Sequence, residues 1–190
     1  MNRNTRTGWR SRTALPLTAA LLATLGACTD TAAIPGVDDV ASLLSVQPAG
    51  GSVNVAVGRN VVITFDHAIA AGMEAYAALH EGSVVGPVVA GAWGASQDRT
   101  VLTFRPAAPL KAATTYVIHL GGGMMGGNGQ RVNLERHGIG MGGQWATGSM
   151  MTGGMGAGMM SGGQSTMMGS GWQHPNNGSY GMVFTFKTAA

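Results

Sequence analysis

The last alternating segment of this 190-residue chain, Met182-Val183-Phe184-Thr185-Phe186-Lys187, stands apart from the others. Met182, Phe184 and Phe186 share one face, and a strand with one apolar face needs hydrogen-bonded neighbours and a partner layer to bury it. The nearest earlier segment of that kind, Thr115 to Leu120, is separated from it by a long stretch of Gly, Met, Ser, Thr and Gln. Two distant stretches, one ending near Leu120 and one starting near Gly181, are expected side by side in the same sheet, with the intervening residues carried outside it.

The same period of two recurs upstream in short runs. Val61, Ile63 and Phe65 share a face; Leu102 and Phe104 oppose Val101, Thr103 and Arg105; Tyr116, Ile118 and Leu120 alternate with Val117 and His119. Leu43 to Gln47, Val53 to Val57, Glu74 to His80 and Val84 to Trp93 are further candidates, and one weakly helical stretch lies near Ala68 to Ala78. About seven short strands parted by turn signals predict an all-β antiparallel sandwich. Pro48-Ala49-Gly50-Gly51 suits the bend after the first strand, and Pro106 and Pro109 stop another. Tyr116 sits where a tyrosine corner sets a ring in the core and its hydroxyl on nearby backbone.

In order, Leu44-Ser45-Val46-Gln47-Pro48-Ala49-Gly50-Gly51, Val61-Val62-Ile63-Thr64-Phe65-Asp66, Thr100 to Leu110 with its Thr103-Phe104-Arg105-Pro106, Thr114-Thr115-Tyr116, and Phe184-Thr185-Phe186-Lys187-Thr188 resemble a bacterial Ig-like domain of the SbsA type. The resemblance covers about residues 43 to 129 plus 181 to 188. It implies an Ig-like β-sandwich acting as a structural or interaction module of the cell envelope. That family has an Asp followed by Leu-Ala-Gly-Asn before its last strand. Here Met124-Met125-Gly126-Gly127-Asn128 keeps the Gly-Asn and lacks the Asp, so no carboxylate role carries over.

At the other end, Met1 to Arg12 holds Arg3, Arg6, Arg10 and Arg12 with no acid, followed by an uncharged apolar run to Ala27. That is the order of a secretory signal, and the run is shorter than the roughly twenty residues a membrane-spanning helix needs. Thr24-Leu25-Gly26-Ala27-Cys28 resembles the lipobox of bacterial lipoproteins, and Cys28 is the single cysteine. The resemblance implies a signal peptide over 1–27, lipid attachment at Cys28 and a tether over 28–42. An ordinary signal with an incidental cysteine is the alternative. Thr29, rather than Asp, follows the cysteine, which by Gram-negative sorting rules points to the outer membrane. Beyond Cys28, seven Lys and Arg face eight Asp and Glu, a net formal charge of −1. Nucleic-acid binding needs a dense basic surface, so the expected partners are a membrane, through the lipid, and an envelope protein.

The domain over 43–188 is interrupted by a Gly/Met-rich insertion over 130–180, expected to be disordered because branched aliphatics nearly vanish after Ile139. Ten of the thirteen methionines fall between Met124 and Met168. Thioethers suit Cu(I) and Ag(I) and need no deprotonation. Met150, Met151, Met155, Met159, Met160, Met167 and Met168 are the candidate ligands, with His137 and His174 adding imidazoles. Copper carriers of the CopC type resemble this module in having a β-sandwich with methionine-rich loops, although they use an N-terminal histidine that this chain lacks. Two other readings stay open: a low-complexity expansion of a tolerant loop, and a pliable adhesive surface formed by the methionines with Trp145 and Trp172.

No Gly-x-Ser-x-Gly elbow, phosphate loop or His-Glu-x-x-His occurs. Asp66-His67 has no nucleophile tied to it, and His119 falls on the polar face of its strand, where a surface position is expected. The chain reads as a non-enzymatic, lipid-anchored envelope protein, or alternatively as an extracytoplasmic Cu(I)/Ag(I) binder.

Overall fold

In the computed structural model, which describes residues 39–148, 150, 165–169 and 171–190, the alternating runs form two antiparallel four-stranded sheets. The first runs β1 (Leu43–Gln47), β2 (Val61–Phe65), β5 (Val101–Pro106), β4 (Gly91–Ala95) from edge to edge. The second runs β3 (Ala77–Glu81), β6 (Thr115–Leu120), β8 (Met182–Lys187), β7 (Gln144–Trp145). β6 and β8 pair from Thr115↔Lys187 to Leu120↔Met182, so the two distant stretches lie side by side as expected.

The core sits between the sheets. Leu43, Ile63, Phe65, Leu102 and Phe104 enter it from one side, and Leu79, Tyr116, Ile118, Leu120, Phe184 and Phe186 from the other. Tyr116 stacks on Phe186 at 5.6 Å, and its hydroxyl accepts the Lys111 backbone N–H at 2.8 Å, which makes the tyrosine corner.

Several runs differ from expectation for local reasons. Val53 to Val57 makes a single bridge, Val55↔Thr188, because Asn54 takes a positive φ of 57° that breaks the extended chain. Pro87 interrupts Val84 to Trp93, and only Gly91–Ala95 becomes a strand. The weakly helical stretch tightens to a 3-10 turn over Met73–Tyr76. The eighth strand, β7, comes from inside the insertion.

The insertion is folded at both ends. Val132 and Leu134 enter the core, and Asn133 bridges to Ser42. The Asn133 Oδ1 accepts the N–H groups of Glu135 and Arg136 at 3.1 and 3.0 Å, which starts α1 (Glu135–Gly138). At Gly138 a Cβ would collide with the Met182 sulfur, so glycine lets α1, which packs along β1, come down on the Met182 side chain. After β7, the Ala146 N–H donates to Gly181 O and the Tyr180 N–H to Ala146 O, continuing the ladder toward β8. A few well-placed apolar residues and close-approach glycines thus hold these ends on the sandwich. The middle of the insertion, with Met151, Met155, Met159 and Met160, lies outside the described residues, as do Cys28 and the rest of 1–38.

Candidate functional site

The two sheets are buried differently. β1, β2 and β5 alternate between covered and partly exposed positions, whereas β3 and β6 are buried on both faces from Ala77 to His80 and from Tyr116 to Leu120. The outer face of the second sheet presents Ala78, His80, Val117, His119 and Val183, by the strict alternation of strands. The far end of the insertion closes over it: Met167 and Trp172 are buried there with Val84, Val117, Ala146 and Val183, and Tyr76, Met168 and Tyr180 pack against them. A backbone bond from Gly122 N–H to Trp172 O pins this cover at 2.8 Å.

His80 and His119 therefore have no exposed surface. The expectation of a surface His119 is corrected: its strand face is polar by sequence, but a segment arriving from beyond Ser165 covers it. The two rings are 5.8 Å apart, and Trp172 lies 4.6 Å from His119. His80 Nδ1 is 3.1 Å from Gly86 O and His119 Nε2 is 2.7 Å from Tyr180 O. A carbonyl oxygen only accepts, so each of these nitrogens carries the proton. The opposite nitrogens, His80 Nε2 and His119 Nδ1, are buried with no hydrogen-bond partner among the described residues and keep free lone pairs. Burial holds both rings neutral. It lowers the pKa of His80 against the opposing bond to Gly86, and it takes His119 to about 4 against the bond to Tyr180, with His80 adding a small repulsion.

The methionines expected as ligands part company. Met150 is exposed and lines a hollow of about 340 Å³ with Val84, Val117, Val183 and Thr185 on the covered face. Met167 is buried in the cover and Met168 packs beside it. Met124 belongs to the main core, and Asn128 in the same turn donates to Asp39 O at 2.7 Å. His137 stands exposed in the last turn of α1. His174 lies in a separate cleft of about 380 Å³ with Arg131, Glu135 and Trp145, its ring edge-on to Trp145 at 5.4 Å. Burial and the Arg131 charge lower the His174 pKa, and Glu135 opposes them. Trp172 is only 7% exposed, so it contributes no adhesive surface. Among the described residues, no three His, Cys, Asp or Glu side chains gather to hold a metal.

Asp66 serves structure. It accepts the Ser42 backbone N–H at 2.5 Å and His67 Nδ1 lies 3.0 Å away. Partial burial raises its pKa, but these two groups outweigh that and leave it lowered. At the edge of the first sheet, Ser96 N–H donates to Val101 O and Ala107 N–H to Ala90 O. Antiparallel bonding alternates, so Gly91, Trp93 and Ala95 turn their backbone groups to the open edge. That edge carries no charge and is mostly exposed.

Two facing antiparallel sheets locked by a tyrosine corner define an Ig-like β-sandwich module. The chain belongs to the bacterial Ig-like domain family, whose model matches residues 38–134. α1, β7, the cover and β8 all lie beyond that match. No curated protein matches the chain. Among solved structures it is similar to L,D-transpeptidase 1 of Mycobacterium tuberculosis, at 18% identity over 49% of this chain with a TM-score of 0.34, and spans 38% of that chain. It is also similar to CopC of Methylosinus trichosporium OB3b, at 15% identity over 50% of this chain and 96% of that one, with a TM-score of 0.37. A third is PcoC, a methionine-rich copper resistance protein of Escherichia coli, at 19% identity over 48% of this chain and 89% of that one, with a TM-score of 0.38.

Proposed function

We propose that the chain is a non-enzymatic, extracytoplasmic lipoprotein whose Ig-like sandwich is an interaction module for a partner in the cell envelope, held at the membrane through Cys28. The observation that carries the reading is the β4 edge. Natural sheets protect exposed edges with charge, proline or a covering element. Gly91 to Ala95 has none of the charges and leaves three residues' backbone groups turned outward, the arrangement that accepts an added strand. The test is made in producing cells, with a photoreactive amino acid in place of Ala92. A crosslink to an envelope protein that vanishes on Ala95→Pro, with the fold kept because that N–H points away from β5, supports the module; a crosslink indifferent to Ala95→Pro defeats it. Cys28→Ser is expected to release the protein from membranes, and unchanged retention refutes the anchor.

A second reading, Cu(I) or Ag(I) capture by the methionine tract, is favoured by one observation. Met150 at one end and Met167 and Met168 at the other land on the same face of the second sheet. Titration with Cu(I) against a competing chelator checks it. Binding tighter than micromolar that is lost when the seven methionines become leucine supports the tract, and absence of competition removes it.

A further inference from the structure

The buried histidine pair is used by neither reading. Two neutral imidazoles without a shared hydrogen bond, each with one nitrogen tied to a backbone carbonyl and the other left without a partner, have the form of ligands waiting for an ion. Metal-bound histidines characteristically donate their second N–H to a carbonyl or carboxylate, which fixes the tautomer and turns the free lone pair to the metal. We infer that His80 and His119 form a buried two-imidazole site for a soft monovalent cation, Cu(I) or Ag(I), beneath the layer of Met167 and Trp172.

The chemistry of the surroundings selects the ion. A metal–nitrogen bond of about 2 Å sets the donors of a two-coordinate pair about 4 Å apart, a separation that rings 5.8 Å between centres accommodate. Zinc asks for four ligands including charged or water positions, and here the neighbours are apolar or neutral. A divalent ion buried with two neutral donors is costly, whereas a monovalent one demands less and tolerates low coordination. The Trp172 ring, 4.6 Å from that of His119, keeps water from the pair. Both donor nitrogens already lack protons, so binding displaces none. Both histidines are fully covered, so an ion reaches them when the layer of Met167 and Trp172 opens.

The donors of this site are imidazoles and those of the tract are thioethers, and the experiment separates them. The full chain carrying Cys28→Ser, which removes the one thiol, is titrated with Ag(I) alone and followed by long-range proton–nitrogen correlation of the imidazoles. Before addition, His80 should show the Nδ1–H tautomer and His119 the Nε2–H tautomer. With one equivalent, the His80 Nε2 and His119 Nδ1 signals should shift together and saturate. Replacing Met150, Met151, Met155, Met159 and Met160 with leucine should leave that response in place. His80→Gln should abolish it, with Ag(I) affinity at this site falling on the order of 100-fold or more, beyond what loss of a supporting group alone produces. Two static resonances while Ag(I) binds elsewhere overturn the inference, and so does a response that disappears with the methionines. Because the first readout needs no histidine variant, failure of His80→Gln to fold does not protect the idea.

Discussion

Burial turns His119 from an ordinary imidazole into one that titrates at about 4, against 6.5 for a free side chain. A histidine whose folded pKa lies below its unfolded one binds fewer protons when folded. Its contribution is complete above about pH 6.5, is lost as pH falls through that value, and stops changing below about 4, a swing on the order of 3 kcal/mol. His80 shifts in the same direction, while the lowered Asp66 acts only below the carboxylate range. Urea midpoints taken from pH 7 to 4 should drop accordingly, and His119→Leu should flatten the profile; a wild-type midpoint constant over that range excludes the buried neutral state. Tyr116→Phe tests the corner by leaving the Lys111 N–H unpaired, with an expected loss of about 1–3 kcal/mol. Tyr116 was legible because Ile118 and Leu120 share its face. His80 and His119 were not, because strand alternation reports which face a residue takes and is silent on what later covers that face.

The strands legible from apolar residues that recur without interruption are β2, β5, β6 and β8, whereas β1 carries a bulge between Leu43 and Ser45 that buries Leu43 and Val46 and breaks the period. Phe184, central on β8 and fully buried, fixes that legibility to an energy, since Phe184→Ala is expected to cost about 3–5 kcal/mol. A smaller loss, below about 1.5 kcal/mol, is what a tolerant, re-packable site gives and contradicts the pairing of β6 with β8 as the spine of the sheet. β7 was illegible for a different reason. Gln144–Trp145 carries no period of its own and is held by Gly181 and Val183 across the ladder, so its existence depends on a neighbour rather than on its sequence. Gly138 is the matching device on the α1 side. Gly138→Val drives a branched side chain into Met182 and should destabilise by about 1–3 kcal/mol or more in urea unfolding; a neutral effect means α1 does not rest on the Met182 side chain.

Across the molecule, stability is expected to be layered. The sheets share one large buried core, whereas the cover over His80 and His119 rests on a smaller cluster and a few backbone bonds. In native-state hydrogen exchange, the Trp172 and Tyr180 amides should open at lower free energy than those of Ile118 and Phe184. Equal protection makes cover and sandwich one cooperative unit and closes the route by which an ion reaches the histidines. The cover also gives the molecule a front and a back. One flank of the sandwich is already occupied by the polypeptide itself, leaving fresh contacts to the other flank and its rim. A face covered in this way takes no further layer, so a partner meets the described residues on the uncovered sheet or along its edge.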